Sequence, residues 1–458
     1  MNLGLLLKGI GMLEFDVIVI GTGTAGLTVA NKCRNKGLSV AIIDKKPFGG
    51  TCALRGCDPK KILVGVGQAW DQAQRFRGKG ISGDIKLSWD KMLAFKNTFT
   101  DSIPVERENS LSSKGIQTFH GTARFTGKNE IKVDETTLTG KNILIATGNS
   151  AMKLPFEGNE HLIDNEAFLN LKQLPKKIAF IGGGYISMEF AHIAIRAGAE
   201  VTVINNKPNV LDKFDPFLVN FLQQRSAELG IKIINDTMVD GIKKDKDSYI
   251  VECKKNGGTM RLVADLVVHG AGRSPNIEDL NLDVGGVAHD KKGVEVNAFM
   301  QSTSNPSVYA AGDVAKGGLP LTPVAGYEAH IVSANILKSD GKEVSYPAIP
   351  SVVFTIPHLA SVGFTEQEAL KKGIKYIVKK QETSEWYSAR RLNEKFEAYK
   401  VLLSEDGSKI LGAHLLGHGA ADTINLFAMA MNEDLETTEI KKMIFAYPTH
   451  ASDISYML

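Results

Sequence analysis

Residues Phe15-Asp-Val-Ile-Val-Ile-Gly-Thr-Gly-Thr-Ala-Gly26 carry the pattern on which the fold of this chain rests. The apolar half predicts a buried parallel strand, and the glycine-rich half predicts a tight turn that opens a helix ending near Lys36. A second strand then runs from Ser39 to Asp44. This order is typical of dinucleotide binding, because glycines let backbone N–H groups approach a pyrophosphate at the start of a helix.

The same pattern recurs 161 residues later in the chain. A predicted strand leads into the turn of Gly182 and Gly184, and Asn205 takes the position of Asp44. Asp44 can accept hydrogen bonds from both hydroxyls of an adenosine ribose, which suits FAD or NAD. Asn205 is uncharged and Lys207 follows it closely, so the second site favours the 2′-phosphate of NADPH.

The rest of the chain predicts further strands and helices and a change of architecture near Tyr346. Helices are expected over about 51–75 and 89–114, and apolar strands over 262–269 and 307–311. Beyond Tyr346 the pattern changes to strands with a helix near 419–431, which indicates a separate α+β domain. The predicted fold class is α/β, with two Rossmann-like dinucleotide-binding domains and a C-terminal α+β domain.

Composition excludes several other classes of protein. Lys and Arg number 54 against 51 Asp and Glu, so the net charge of +3 does not indicate a nucleic-acid-binding surface. The sequence has no run of 18 apolar residues, so it predicts no membrane-spanning helix. Residues 1–11 are expected to be an N-terminal extension rather than a signal peptide. Four cysteines among 458 residues favour a reducing, cytoplasmic location. Glycine makes up 45 of the 458 residues, a larger share than the usual ~7%. This excess indicates places where the backbone must approach another group closely.

Cys52 and Cys57 lie soon after the first acid, in Gly49-Gly-Thr-Cys-Ala-Leu-Arg-Gly-Cys-Asp-Pro-Lys-Lys61. Their spacing is not that of zinc ligands, and no second Cys or His pair lies nearby in sequence. In a regular helix two residues five apart point about 140° from each other, so a disulfide here needs a distorted turn, for which Gly56 gives the freedom. A strained, reducible disulfide beside a cofactor site is what a redox enzyme requires.

At these residues the chain resembles the class I pyridine nucleotide-disulfide oxidoreductases, the flavoprotein family of glutathione reductase, dihydrolipoamide dehydrogenase and mercuric reductase. The resemblance extends from about Phe15 onward. Its motifs are the two glycine turns, Gly49-Gly-Thr-Cys-x4-Cys-x-Pro-Lys60, Ala146-Thr-Gly148, Gly272-Arg-x-Pro-Asn276, Ala311-Gly-Asp313 and Pro448-Thr449. It implies domains over 12–150 (FAD, first part), 151–275 (NAD(P)H), 276–345 (FAD, second part) and 346–458 (dimerisation).

The resemblance also implies FAD and NADPH, or NADH, as cofactors, and a homodimer whose subunits complete each other's active site. Cys57 would be the thiol that faces the flavin, and Cys52 the thiol that attacks the substrate. Lys60 would pair with Glu189 near the flavin, and Tyr185 would cover the nicotinamide pocket. The other implied cofactor contacts are Gly21, Gly23, Gly26, Asp44, Gly50, Thr51, Thr147, Gly148, Gly182, Gly184, Asn205, Lys207, Gly272, Arg273, Gly312 and Asp313.

The C-terminal segment departs from the family. Members that reduce organic disulfides carry a histidine and, five residues on, a glutamate, whereas this chain has Tyr447 and Ser452. Three interpretations stay open: Tyr447 is a hydrogen-bond donor in the site, His450 reaches the site with Asp453 as its orienting partner, or the site serves another acceptor. Residues 254–458 hold no cysteine, which disfavours mercuric reductase and the high-molecular-weight thioredoxin reductases. Asn31 in place of the family's arginine puts glutathione in doubt.

The predicted function is transfer of hydride from NAD(P)H through FAD to a Cys52–Cys57 disulfide, and from there to a small disulfide substrate. One alternative is a flavin-centred reductase of metal ions or quinones, and another is a redox-sensing flavoprotein. The sequence leaves open the electron acceptor, the choice between NADPH and NADH, and whether Tyr447 or His450 is the acid or base. No metal site, membrane anchor or nucleic-acid partner is expected.

Overall fold

Residues 13–255, 257–337 and 341–458 are described by a computed structural model. Contacts between residues divide them into two units. The first comprises the described residues up to Pro59, Asn97–Met152 and those of Arg273–Ser345, and the second comprises Lys60–Lys96, Lys153–Gly272 and Tyr346–Leu458. Each unit contains one of the two glycine-rich turns. The N-terminal extension predicted over residues 1–11 lies outside the described residues.

The first unit is built on a seven-stranded sheet. In sheet order, six of its strands are Gln117–His120, Val40–Asp44, Leu13–Ile20, Thr136–Ile145, Glu130–Val133 and Ala123–Gly127. The seventh, Val308–Ala310, pairs in parallel with Thr136–Ile145. Two short ladders join Asn149–Ala151 to Arg273–Pro275 and His289–Asp290 to Gly293–Val294. The central strands are parallel and buried, which is why their sequences are continuous apolar runs.

Three sheets lie in the described part of the second unit. The parallel sheet has the order Lys232–Ile234, Glu200–Ile204, Lys177–Ile181 and Leu266–His269. A three-stranded antiparallel sheet follows, formed by Thr237–Asp245, Ser248–Lys255 and Gly258–Ala264. The C-terminal antiparallel sheet has the order Ser351–Val353, His358–Gly363, Ile410–Gly417, Ala398–Ser404 and Tyr376–Glu382. One core covers the C-terminal sheet, and it includes helix Ala420–Asn432 and the last residues of the chain.

The helices of the described residues connect and cover these sheets. In chain order they are Thr24–Asn35, Gly50–Arg55, Cys57–Arg75, Trp89–Thr100, Ile103–Ser113, Asn165–Leu169, Tyr185–Arg196, Pro216–Glu228, Thr322–Ile336, Glu366–Lys371, Tyr387–Arg390, Ala420–Asn432, Thr437–Lys442 and Ile454–Met457. Single turns of 3-10 helix occur at Asn159–His161, Glu278–Leu280 and His450–Asp453. In this part of the chain no helix combines the length and the hydropathy that a membrane crossing requires.

The two glycine turns are equivalent in their strand pairing. Ile20 pairs with Ile43 in the first unit, and Ile181 pairs with Ile204 in the second, which is the same register 161 residues on. The helices that follow the turns keep the same offset, Thr24–Asn35 and Tyr185–Arg196. The repeat seen in the sequence is therefore a repeat of structure.

Two segments predicted as single helices are each two helices. Gly56 divides the segment 51–75, with backbone angles outside the helical region, and this is the distortion that the cysteine spacing requires. The segment 89–114 has a helix that ends at Thr100. A new helix begins with Pro104 in its first turn, where a proline costs no backbone hydrogen bond. The expectation of continuous helices is wrong at both places.

The apolar segment 262–269 also differs from the expectation of one strand. Gly258–Ala264 ends the three-stranded sheet, and Leu266–His269 is an edge of the parallel sheet. Asp265 lies between them, and its carboxylate accepts a hydrogen bond of 2.9 Å from the N–H of Lys177. The chain therefore changes sheets at a polar residue that is tied to the parallel sheet.

Buried charges join the helix that ends at Arg75 to the helix that ends at Arg196. Asp71 Oδ1 accepts hydrogen bonds from Arg196 Nη2 at 2.7 Å and from Arg225 Nη2 at 2.8 Å. Burial alone would raise the pKa of Asp71, but the guanidinium groups of Arg196 and Arg225 hold it below its usual value. Each of these charges is tolerated inside the protein because the others are present.

Replacing Asp71 with Asn should lower the free energy of unfolding by about 3–5 kcal/mol, because buried guanidinium groups then lack a counter-charge. Urea denaturation at pH 7 measures this change. Asp84→Asn, which alters an exposed carboxylate beside Lys86, is the matched control. Equal denaturation midpoints for the two variants would contradict the role given to Asp71.

Candidate active site

The first glycine turn presents backbone N–H groups to open space. Gly21 has a φ of +110°, and a Cβ there would lie 2.3 Å from the carbonyl oxygen of Ala146. A Cβ on Gly26 would lie 1.9 Å from the carbonyl oxygen of Gly21. Gly23 begins helix Thr24–Asn35; among the described residues no side chain caps it, and nothing lies within 4 Å of a Cβ placed there. The free N–H groups at the positive end of this helix suit a pyrophosphate.

The carboxylate of Asp44 is tied to this turn. Asp44 Oδ2 accepts hydrogen bonds from Thr22 N at 2.8 Å and from Thr22 Oγ1 at 2.6 Å, and Oδ1 accepts one from Lys46 N at 2.9 Å. Thr22 Oγ1 in turn accepts a hydrogen bond of 3.1 Å from Gly49 N. One carboxylate therefore fixes both the turn and the segment that leads to the cysteines.

Gly50 places the cysteine segment directly against the turn. Its φ is +71°, and a Cβ there would lie 2.4 Å from the Cα atom of Gly23. Only glycine allows two backbones to approach so closely. Helix Gly50–Arg55 starts at this contact, so Thr51 and Cys52 lie in its first turn.

The two cysteines are free thiols within hydrogen-bonding distance of each other. The pKa of Cys52 is raised, first by its hydrogen bond to Cys57 and then by burial. Cys57 Sγ lies 3.4 Å from the hydroxyl of Thr322, the first residue of helix Thr322–Ile336. A hydroxyl and the positive end of a helix both stabilise a thiolate. The same hydroxyl also hydrogen-bonds Cys52 and acts to lower its pKa, so Thr322 faces both thiols of the pair.

Thr322 is a site residue that the sequence analysis missed. Thr322-Pro323 before an apolar segment is a recognisable start of a helix. Nothing in the sequence, however, connects it with Cys57, which is 265 residues away. Only the fold brings the two together.

Motif residues of the first unit support one another around the end of strand Thr136–Ile145. Thr147 Oγ1 donates a hydrogen bond of 2.7 Å to the carbonyl of Asn276, and Asn276 Nδ2 donates one of 2.9 Å to the carbonyl of Thr147. Asn276 N also donates to the carbonyl of Gly148 at 2.9 Å. Arg273 Nη2 donates to the carbonyl of Asn149 at 2.6 Å. These bonds join the motif that contains Thr147 and Gly148 to the motif that contains Arg273 and Asn276.

The segment before helix Thr322–Ile336 is held from inside that helix. The buried carboxylate of Glu328 accepts a hydrogen bond of 2.6 Å from Gly312 N. Gly312 has a φ of +75°, which favours glycine at this turn. Burial raises the pKa of the neighbouring Asp313, and Arg273 acts in the opposite direction.

In the second unit the structure brings Lys60 and Glu189 together. Lys60 Nζ lies 2.7 Å from Glu189 Oε2, and the glutamate side chain is 1% exposed. Glu189 Oε1 accepts a hydrogen bond of 2.8 Å from the N–H of Phe354. The ammonium groups of Lys60 and Lys61 lie 5.2 Å and 4.2 Å from the centroid of the Phe354 ring. Burial lowers the pKa of Lys61, and Lys60 lowers it further. No sequence signal pointed to Phe354 as a member of this cluster.

The second glycine turn repeats the geometry of the first. Gly182 has a φ of +95°, and a Cβ there would lie 2.6 Å from the Cα atom of Ala271. Gly184 begins helix Tyr185–Arg196, and within the described chain no side chain caps it and no acid lies in the first turn. Tyr185 is exposed at the start of this helix. This turn therefore offers a helix start without a side-chain cap, of the same kind as the first, to a second dinucleotide.

Asn205 is engaged inside the protein. Its Nδ2 donates hydrogen bonds of 3.0 Å to the carbonyl of Lys207 and to Asn235 Oδ1. A Cβ on Gly183 would lie 2.7 Å from Asn205 Cγ, so the amide also packs against the turn. The amide thus fixes the backbone of Lys207, whose side chain is exposed.

The C-terminal segment places its two candidate residues differently. The Tyr447 side chain is 77% exposed, and its ring stacks on Tyr387 with 6.3 Å between centroids. His450 is largely buried, and its Nε2 lies 3.5 Å from Glu397 Oε2. Asp453, the expected orienting partner, hydrogen-bonds Ser388 and also interacts electrostatically with His450. Glu397 is thus a second carboxylate beside His450, and the role of Asp453 stays a prediction.

Comparison with known proteins gives this geometry a family. Residues 15–329 match the family described as pyridine nucleotide-disulphide oxidoreductase, and residues 349–457 match its dimerisation domain. The chain belongs to this family. It is 30% identical to the dihydrolipoyl dehydrogenase of Geobacillus stearothermophilus, over 95% of this chain and 94% of that protein. It is also 30% identical to the mercuric reductase of Staphylococcus aureus, over 96% of this chain and 81% of that protein.

A solved structure extends this relationship to the whole chain. The Cu(II) complex of the HOCl-induced flavoprotein disulfide reductase RclA of Escherichia coli has a TM-score of 0.87 and 26% identity, over 97% of this chain and 99% of that one. The predicted family, the fold class and the enzyme class are confirmed. This pyridine nucleotide-disulphide oxidoreductase is a FAD-dependent NAD(P)H disulfide oxidoreductase. The open helix ends at the two glycine turns fit these nucleotides, and the roles of individual site residues stay predictions.

Replacing Thr322 with Val should slow alkylation of the Cys52 and Cys57 pair by iodoacetamide about fivefold at pH 7, since a hydrogen bond of about 1 kcal/mol that favours the thiolate form is lost. The rate is measured by mass spectrometry of the NADPH-reduced holoenzyme. Thr303→Val, at an exposed threonine of the same unit, is the control. An unchanged alkylation rate would show that the hydroxyl does not support the thiolate.

Proposed function

We propose that this chain uses NADPH to reduce a small disulfide through a Cys52–Cys57 disulfide, and that it acts as a homodimer. One observation carries the proposal. The two thiols lie within reach of each other across a helix break at Gly56, and Cys57 lies beside the hydroxyl at the start of helix Thr322–Ile336. Two thiols so close together can form a disulfide and open it again.

The reaction assigns a different task to each thiol. Bound FAD supplies a two-electron carrier between NADPH and the cysteines. The reduced Cys52 attacks one sulfur of the substrate disulfide, so that a mixed disulfide forms and the first substrate thiol leaves. Cys57 then attacks the sulfur of Cys52, which releases the second thiol and restores the internal disulfide. One NADPH and one proton thereby convert one disulfide into two thiols.

The exposed C-terminal segment supports a shared site in the dimer. Ile444 is fully exposed in the described chain, and Tyr447 and Met443 are exposed near it. This apolar surface lies in the dimerisation domain, so a second copy of the chain is its natural cover. Tyr447, brought by the partner subunit, is then the group proposed to donate a hydrogen bond to the departing thiol.

The preference for NADPH rests on Asn205 and Lys207. An aspartate at the position of Asn205 would repel a 2′-phosphate, whereas the amide is neutral and fixes the backbone of Lys207. The exposed ammonium group of Lys207 then supplies the positive charge.

The remaining cysteines support a reducing compartment such as the cytoplasm. Cys33 and Cys253 are buried free thiols, and burial raises the pKa of each to about 11. Such thiols are inert and take no part in exchange.

Reduction of a soft metal ion is a second candidate function. The relatives named above include a mercuric reductase and a reductase solved as a Cu(II) complex, and two adjacent thiols suit soft cations. In the described chain no group of three or more His, Cys, Asp or Glu side chains could hold a metal. The metal would therefore be a substrate at the thiol pair.

Replacing Cys52 with Ser should lower turnover of any disulfide at least about a hundredfold, because the attacking thiol is lost. NADPH oxidation by ferricyanide, which takes electrons from the flavin directly, should persist. The assay screens NADPH and NADH against glutathione, lipoamide and coenzyme A disulfides and against mercuric and cupric ions, with Cys253→Ala as the control.

The outcomes of this screen separate the candidates. Disulfide turnover that survives in Cys52→Ser overturns the proposed route. Turnover of the metal ions alone by the wild type favours the second function. A wild type that reduces neither class is better described as a redox-sensing flavoprotein.

Replacing Lys207 with Ala should raise the KM for NADPH about five- to tenfold and leave the KM for NADH unchanged, because one charge-assisted contact to the phosphate is lost. Steady-state kinetics with both nucleotides measure this split. Lys232→Ala is the matched control. Lys232 is also exposed, but it is the first residue of strand Lys232–Ile234, at the end of the strand away from the glycine turn. Equal changes in both KM values would contradict the role of Lys207.

A further inference from the structure

A buried carboxylate and a buried imidazole face each other beneath the C-terminal segment. Glu397 Oε2 lies 3.5 Å from His450 Nε2, and the two side chains are 9% and 15% exposed. Neither of these two atoms has a hydrogen-bond partner among the described residues. Glu397 precedes strand Ala398–Ser404, whereas His450 begins the last 3-10 turn, so the contact joins the sheet to the C-terminal segment.

Two glycines make room for this pair. A Cβ on Gly417 would lie 2.6 Å from Glu397 Cγ, and a Cβ on Gly419 would lie 2.4 Å from His450 Cγ. Both glycines belong to the short connection between strand Ile410–Gly417 and helix Ala420–Asn432. The Nδ1 edge of His450 also packs there, 2.7 Å from the same Cβ position on Gly419. His450 is therefore held on two sides and does not present a free ring edge to a substrate.

Other charged groups surround the pair, and Asp453 interacts electrostatically with both Glu397 and His450. His418 stacks obliquely on His450 with 6.1 Å between ring centroids, and burial lowers its pKa, so it adds no positive charge near neutral pH. Asp453 is engaged with Ser388, and burial raises its pKa. Arg391 interacts electrostatically with both His418 and Asp453.

His450 lies three residues from Tyr447, and Thr449 Oγ1 between them donates a hydrogen bond of 2.7 Å to the carbonyl of Ala446. Thr449 and Ser452 cap each other through the last 3-10 turn, with Ser452 N donating to Thr449 Oγ1 at 3.2 Å. Beyond the turn, Ile454 and Met457 are buried in the core of the C-terminal sheet. On the other side of the turn, Tyr447 is exposed and its ring stacks on Tyr387. The contact of His450 joins this segment to the C-terminal sheet on the side toward the end of the chain.

We propose that Glu397 is a positioning residue for the disulfide reductase reaction: it holds His450, and through His450 the backbone that sets the direction of the Tyr447 phenol. The inference rests on the proposed function, in which Tyr447 works at the thiol pair. Neither Glu397 nor His450 touches the substrate in this scheme. A phenol misplaced by about 1 Å is enough to cost up to a hundredfold in rate.

The test compares the holoenzymes of Glu397→Gln, His450→Ala and His450→Gln with the wild type. Glu397→Gln and His450→Ala should lower kcat for the disulfide about tenfold or more, with an unchanged KM for NADPH and unchanged ferricyanide reduction. His450→Gln keeps an N–H donor toward Glu397 and should restore most of the activity. Glu433→Gln, an exposed glutamate at the end of helix Ala420–Asn432, is the matched control.

A double variant tests whether Glu397 acts through Tyr447. Tyr447→Phe with Glu397→Gln should be no slower than Tyr447→Phe alone, because a positioning residue has nothing left to position. Hydrogen exchange should rise in the peptide that covers Tyr447 in Glu397→Gln and stay unchanged in the strands of the sheet.

The possible results distinguish this inference from the proposed function. A wild type without disulfide turnover overturns both. An active wild type with an unaffected Glu397→Gln, additive effects in the double variant, or an equal loss of ferricyanide reduction overturns the inference alone. The tenfold split between the two activities, with rescue by His450→Gln, supports it.

Discussion

The backbone contact between Gly50 and Gly23 is the constraint on which the chemistry of the first unit depends. Gly23 opens the helix whose free N–H groups suit a pyrophosphate, and Gly50 opens the helix that carries Cys52. A side chain at Gly50 would separate the two, since its Cβ would lie 2.4 Å from the other backbone. The hydrogen bonds that link Asp44, Thr22 and the segment before Gly50 fix the same approach. The glycine turn and the cysteine helix are therefore held together by close backbone packing and by the side chains of Asp44 and Thr22.

In the second unit, buried ion pairs fix the positions of two helices relative to each other. Lys60 pairs with Glu189 and Asp71 pairs with Arg196, so the same two helices are joined twice. The paired residues are eleven apart on one helix and seven apart on the other, close to three and two whole turns, which keeps each set on one face. Buried ion pairs add little stability compared with apolar packing, but they are strict about geometry. A largely buried lysine such as Lys60 needs a fixed counter-charge of this kind.

Local pattern made much of this predictable from the sequence. The strand, the turn, the helix and the following acid are all set by residues close to one another, so the second copy could be placed by an offset of 161 residues. Pro104 also indicates the start of a new helix, although the sequence analysis predicts one continuous helix across it. Thr322 beside Cys57 and Phe354 beside Glu189 were beyond reach, because 265 and 165 residues separate the partners. A single sequence holds no trace of such contacts, which exist only once the sheets have formed.

The C-terminal segment shows why comparing motifs position by position is incomplete. Ser452 stands where relatives have a glutamate, and its hydroxyl donates a hydrogen bond of 2.6 Å to the carbonyl of Thr449. A short side chain suits that cap, and the carboxylate that lies 3.5 Å from His450 belongs to Glu397, on another element. The imidazole and this carboxylate are buried, whereas the phenol of Tyr447 is exposed. A phenol donates a hydrogen bond through the neutral range but does not take up a proton there. The protons for the product thiols must then come from Cys52 and from solvent, with the buried pair directing the donor rather than replacing it.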